Sequence, residues 1–223
     1  TTGGLTVTAG GAVTQSGTLV IPGTTTISAS GHAVTLGDSS NNFGTLAITG
    51  ANVTATDTNA IVLGASTVSG TYAVTAGGAV TQSGALAITG ATTISASGHN
   101  VTLNTATNNF QGAVGITGAT VAVVDANAIV LGASVVSGTY TVTATAGGGI
   151  TNTGVLAITN GATFKVDGGQ SISLNQANTF SSTVTFTPLS GTITAVTIRD
   201  SNDFELKALT TTGGLTVTAG GAV

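Results

Sequence analysis

One stretch constrains this chain more than any other: Leu5-Thr-Val-Thr-Ala-Gly-Gly-Ala-Val-Thr-Gln-Ser-Gly17 keeps returning. Ala76-Gly-Gly-Ala-Val-Thr-Gln-Ser-Gly84 repeats its second half unchanged, and Ala146-Gly-Gly-Gly-Ile-Thr-Asn-Thr-Gly154 is a diverged third copy. Thr211 to Val223 then reproduces Thr1 to Val13 residue for residue, 210 residues on. A chain built this way is expected to be a window on a longer array, since each repeat of such an array completes its core only against its neighbours.

Three smaller units fit into the 210-residue period. Asp57-Thr-Asn-Ala-Ile-Val-Leu-Gly-Ala-Ser66 returns as Asp125-Ala-Asn-Ala-Ile-Val-Leu-Gly-Ala-Ser134 after 68 residues, and Asp200-Ser-Asn202 follows 75 later. The copies span approximately 3–68, 69–136 and 137–210, with 211–223 restarting the array, so 1–223 reads as one continuous segment. Phe110 and Phe180 are only 70 apart, which places five extra residues between Phe180 and Asp200. Thr187-Pro-Leu-Ser-Gly191 is the expected insertion, a bulged loop, because proline has no N–H for a ladder.

Within each copy the pattern is that of strands. Leu5-Thr-Val-Thr, Leu86-Ala-Ile-Thr, Val101-Thr-Leu-Asn, Ile172-Ser-Leu-Asn and Val184-Thr-Phe-Thr alternate apolar with small or polar residues, the period of a strand with one buried face. Gly, Asn and Ser punctuate the runs at short intervals, as turns require. An antiparallel sandwich for each copy would need bulky core residues, yet there is no Trp, with two Tyr and six Phe. Ala, Val, Ile and Leu suit a thin core rebuilt by every layer, which is a parallel β-solenoid. At ~22 residues per coil each copy would make about three coils and the window about ten, a rod of roughly 48 Å.

These motifs also resemble a known family. Asn-Asn-Phe-x-Gly, Ile-Thr-Gly, Asp-x-Asn-Ala-Ile-Val-Leu-Gly-Ala-Ser and Val-Thr-Ala-Gly-Gly-Ala-Val-Thr-Gln-Ser-Gly are similar to the repeats of giant bacterial surface proteins, the filamentous-haemagglutinin-like "beta strand repeat" proteins. The resemblance covers Asn41 to Gly84 and Asn108 to Gly154, and departs between Pro188 and Leu206. It implies an all-β, right-handed parallel β-helix, secretion to the cell surface and no catalytic residues.

Composition narrows function further. Arg199, Lys165 and Lys207 are the only strong bases, too few for the basic face that displaces counterions from nucleic acid. No apolar run reaches the ~20 residues of a membrane helix. The chain has no cysteine, so neither a disulfide nor a thiolate metal site is expected.

Candidate chemistry is sparse. His32 and His99 share a repeat position, but about three coils, or ~14 Å, would separate them, too far for one ion to bridge. Asp57, Asp125 and Asp200, with Asn59, Asn127 and Asn202, are expected to form Asx-turns. Asn41, Asn42, Asn108, Asn109 and Asn178 should turn the chain ahead of Phe43, Phe110 and Phe180, which plug the core. In Arg199-Asp-Ser-Asn-Asp-Phe-Glu-Leu-Lys207, Phe204 and Leu206 are expected to point inward from a charged strand. The same cluster holds the only weak Ca²⁺ candidates, Asp200, Asn202, Asp203 and Glu205. No catalytic residue and no cofactor are expected. A polysaccharide lyase or hydrolase would need carboxylates paired across a substrate, and these acids are scattered. An ice-binding face would need Thr-x-Thr once per coil, and here it recurs irregularly.

The expected function is a structural shaft of an extracellular surface filament, sheath or giant adhesin, with copies of itself as partners end to end and a further option of lateral self-association. The rival is a glycan- or cell-binding adhesin module, which would present a row of exposed aromatic or charged residues on one face. Both ends of the window fall in the same uncapped strand motif, so neighbours in register are expected there, because bare strand edges otherwise template aggregation.

Overall fold

The structure, a computed structural model, describes residues 3–205 and 207–223. Twenty-six short strands, numbered in chain order from β1 (Leu5–Thr8) to β26 (Leu215–Ala219), occupy a little over half of the described residues, and none of these residues is helical. Every pairing between named strands is parallel, and the strands stack as a β-solenoid of about 11 turns. Register steps such as Leu5 to Thr25, Val101 to Val121 and Val121 to Tyr140 show the reason. Each residue lies on its counterpart one turn back, so alternating apolar side chains fall into continuous inward columns.

Those columns form one core from Ile21 to Phe204, lined by Val, Ile, Leu and Ala with a few aromatics. Ile61, Ile129, Leu63, Leu131 and Val80 are inward and buried, as their shared repeat positions demand. Val13 points the same way but is only half-buried, since its strand β2 (Val13–Thr14) has a paired neighbour on one side alone. In the third copy the turns lengthen: Tyr140 pairs with Ala162, and Ala162 with Val184. Phe164 fills the wider section, edge-on to Tyr140 at 6.1 Å and to Phe180 at 6.2 Å, and stacked on Phe186 at 6.1 Å.

The turn length differs from the sequence expectation, with a structural consequence. Turns average about 20 residues, so a copy of 68 to 70 makes about three and a half turns instead of three. Equivalent strands therefore alternate between the two thirteen-stranded sheets: β7 (Ile61–Leu63) belongs to one and β17 (Ile129–Leu131) to the other. For the same reason His32 and His99, which share a repeat position, do not lie above one another. The two exposed histidines follow β3 (Val20–Ser28) and β12 (Thr92–Ser95), which lie in different sheets.

Two other expectations are corrected. Thr187 and Pro188 are not in a loop but end β24 (Val184–Pro188), paired with Lys165 and Val166. The extra residues lie beyond them, around Gly191, whose φ of 56° makes the reversal. The charged cluster is likewise not a strand after Asp200, where β25 (Ala195–Asp200) stops. Phe204 is nonetheless buried, while Leu206 lies outside the described residues.

Candidate functional site

The buried polar residues gather at three equivalent corners, where the cross-section of the prism changes. β5 (Asn42–Gly50) carries two strands above it, β7 and β8 (Ser66–Val68), and β15 (Val114–Gly118) likewise carries β17 and β18 (Ser134–Val136). As one strand divides, the neighbouring ladder through β14 (Asn109–Phe110) finds no strand on its upper side. Backbone N–H groups at such an edge are buried and lose their carbonyl partners, which costs free energy unless something replaces them.

Side-chain oxygens do so. Asp57 accepts Phe43 N–H at 2.6 Å and Asn59 N–H at 2.9 Å; Asp125 accepts Phe110 N–H at 2.9 Å and Asn127 N–H at 2.8 Å. The bond two residues ahead is the expected Asx-turn. The bond to the phenylalanine, fourteen or fifteen residues back, is the one that ties two turns together. Ser66 and Ser134 act alike, accepting Ile48 N–H and Ile116 N–H at 3.0 Å each. The third corner is weaker: Asp200 Oδ1 takes both Phe180 N–H and Asn202 N–H at 3.2 Å, leaving buried Oδ2 without a partner among the described residues.

The asparagine two residues before each phenylalanine (Asn41, Asn108, Asn178) is fully buried and does more than turn the chain, whereas Asn42 and Asn109 are half-buried in the strands themselves. Asn108 Oδ1 accepts Leu86 N–H at 3.0 Å and Gln82 Nε2 at 2.8 Å, while its Nδ2 donates to Leu103 O and Val124 O, both at 3.2 Å, and to Gln82 Oε1 at 2.9 Å. Asn41 repeats the arrangement with Gln15, and Asn178 with Asn152. Sequence reasoning passed over Gln15, Gln82 and Asn152. Their signal is a constant 26-residue spacing to Asn41, Asn108 and Asn178, one turn plus a corner.

Burial pushes the Asp125 carboxyl above its ordinary value of 3.8, against the downward pull of the Asn127 and Phe110 N–H groups. The folded state then holds the proton more tightly than the unfolded state does. The contribution of Asp125 to stability is therefore fullest below the unfolded pKa and declines as pH rises from there through the folded pKa. In urea titrations between about pH 3 and pH 7, the advantage of wild type over Asp125→Asn should shrink as pH rises. An advantage that grows with pH would refute this assignment.

Tyr72 and Tyr140 lie beside these corners with their rings fully buried. Desolvation raises both phenol pKa values far above normal, and Ser66 and Ser134 only partly offset it. Both serine hydroxyls already donate to Gly64 O and Gly132 O, and among the described residues neither tyrosine hydroxyl meets a partner in hydrogen-bonding geometry, so the serines act on the phenols only by proximity. Tyr72→Phe should thus be neutral or stabilising by up to about 1 kcal/mol, read as an unchanged or raised melting temperature. A clear loss would reveal a partner for the hydroxyl.

The calcium candidates do not converge. Asp203 Oδ1 accepts Ala222 N–H, Glu205 is paired with Lys207, and Asp200 lies in the core. Asn202, Asp203 and Glu205 line an open groove of about 470 Å³ beside Phe180, whereas Asp200 borders a different cavity with Ala177 and Thr218. Among the described residues no group of three His, Cys, Asp or Glu side chains is placed to hold a metal ion. No described helix is long and apolar enough to cross a membrane.

Comparison with known proteins agrees with this repeat geometry. No curated protein and no solved structure matches the chain. A family model described as "Repeats of unknown function (DUF5649)" matches residues 1–49, 50–117, 118–187 and 193–223, in steps of the same length as the corner-to-corner repeat. The chain belongs to this family of repeats.

Proposed function

We propose that this chain is a length of structural shaft in an extracellular bacterial filament, sheath or giant surface adhesin. The observation that carries the reading is the single core that runs through about 11 turns of parallel strands. Its buried polar groups are spent on joining turn to turn. The outward side chains of the strands are mostly Thr, Ser and Ala, which suits a solvated rod surface. The likeness of its motifs to filamentous-haemagglutinin-like repeats supports the extracellular setting.

Electron microscopy of the intact chain on its native cells, with antibody raised against this segment, tests the proposal. Labelled rods at the surface, lengthening by about 50 Å per 210-residue period, are the expected result. Label confined to the cell interior, or particles without rod shape, would overturn it. The adhesin reading is separated by glycan-array binding of the same segment, which a pure shaft should lack.

A further inference from the structure

Asn160-Gly161 is the only Asn-Gly pair in the chain. It lies inside the stack, with Ser137 on the turn below and Thr183 on the turn above. Asn160 is exposed there and Gly161 half-buried. Ile158-Thr159-Asn160-Gly161-Ala162 aligns with Ile88-Thr89-Gly90-Ala91-Thr92 of the preceding copy, and Thr159 N–H and Thr89 N–H make the same bond, to Val136 O and Val68 O at 2.9 Å. The next residue differs. Gly90 N–H continues to Gly70 O at 3.0 Å, whereas Asn160 ties the layers with its side chain, Nδ2 donating to Ser137 O at 3.1 Å. Gly161 O accepts Tyr140 N–H at 3.0 Å, but Gly161 N–H donates to no acceptor among the described residues. Nothing crowds it either: Gly161 has no left-handed φ, and a Cβ there would come no closer than 3.6 Å, to Thr183 Oγ1.

We propose that Asn160 deamidates spontaneously in the folded protein, by ring closure from Gly161, and that the product unties the two turns at this point. Solvent base removes the Gly161 amide proton, and the freed nitrogen attacks Asn160 Cγ. The N–Cγ bond forms, the Cγ–Nδ2 bond breaks, and Nδ2 leaves as ammonia. Water then opens the resulting succinimide, with no oxidant or reductant. Cleavage between Gly161 N and Cγ gives aspartate. Cleavage between Gly161 N and the main-chain carbonyl carbon of residue 160 gives isoaspartate, whose main chain runs through Cβ and Cγ. A following residue without Cβ lets the backbone approach closely enough for this closure, and the one bond that Asn160 must give up lies at the surface, where water replaces it at little cost. Asn41, Asn108 and Asn178 are held instead, buried with their amide nitrogens bonded and followed by Asn or Thr. Either product sets a carboxylate oxygen where Nδ2 donated to Ser137 O. Isoaspartate also lengthens the backbone between two turns fixed by Tyr140 N–H to Gly161 O and by Ala162 N–H to Thr183 O.

The folded chain, aged in heavy-oxygen water in mildly alkaline buffer and mapped by peptide mass spectrometry, provides the test. Label is expected at position 160 before any other asparagine, faster as pH rises, with part of it as isoaspartate that an isoaspartyl methyltransferase recognises. Gly161→Ala fits the structure, since the preceding copy already carries Ala91 at this place. It should leave the melting temperature unchanged and slow the labelling by about tenfold or more, equivalent to about 1.4 kcal/mol on the barrier. In aged wild type, amide hydrogen exchange should quicken at Tyr140 and Ala162 and stay unchanged at Tyr72, whose corner has no such pair. Four results would each overturn the proposal: label at another asparagine first, labelling indifferent to Gly161→Ala, label at position 160 only after unfolding in urea, or unchanged exchange at Tyr140 and Ala162 once position 160 is converted.

Discussion

Asn108→Asp should unfold the middle of the rod, although it replaces one atom. The amide nitrogen of Asn108 donates to Leu103 O, Val124 O and Gln82 Oε1, all acceptors, in a position with no solvent exposure. An aspartate there would set a carboxylate oxygen against three oxygens, a buried charge with no partner on that side. The cost is about 4 kcal/mol, or a shifted pKa that still leaves at most one donor for three acceptors. Asn108→Ala removes the same bonds and orphans Leu86 N–H, costing about 3 kcal/mol without the repulsion. Urea unfolding should order the two variants Asp below Ala below wild type, with the Asp deficit easing in acid. Equal stability of all three would show that the corner is not held by this amide.

Gly77→Ala should destabilise the fold by about 3 kcal/mol or more, because the added methyl has nowhere to go. Its Cβ would lie 2.2 Å from Thr58 O, in the backbone of the Asx-turn one layer below, and backbone cannot rotate aside as a side chain can. Gly148→Ala meets Ala128 N at 2.1 Å in the next copy and should behave alike. Gly37→Ala is the control: nothing lies within 4 Å of its Cβ, and no left-handed φ is required there, so its melting temperature should stay near wild type or rise slightly through a less flexible unfolded chain. If Gly77→Ala and Gly37→Ala melted together, the turns could not be stacked this closely.

These two sites explain the motif that dominates the sequence. Ala-Gly-Gly follows Asp-x-Asn by one turn because the glycines of one layer rest on the turn of the layer below, with Gly77 N–H donating to Asp57 O and Gly220 N–H to Asp200 O. The two motifs are halves of one contact, about 20 residues apart along the chain and adjacent in space. Nothing local in either stretch announces the pairing.

The sequence alone determined the strand class, the absence of helix among the described residues, the three copies and the inward columns, because alternation with period two and an identical recurring stretch are local properties that a pleated strand reads directly. It also placed Phe43, Phe110 and Phe180 in the core and Asp57 and Asp125 in Asx-turns. Only the tertiary structure decided how many residues close a turn. A closure of about 20 instead of ~22 residues adds half a turn to each copy, and that half turn moves Ile129 to the opposite sheet from Ile61 and parts His32 from His99. The same closure creates the corners, where one ladder stops and another divides. There the need for acceptors in place of missing carbonyls turns Asp57 and Asn108 from turn-formers into ties between layers, and recruits Ser66 and, from 26 residues away, Gln82. Turn closure depends on the summed packing of every inward side chain in a layer, so no single stretch of the chain carries it.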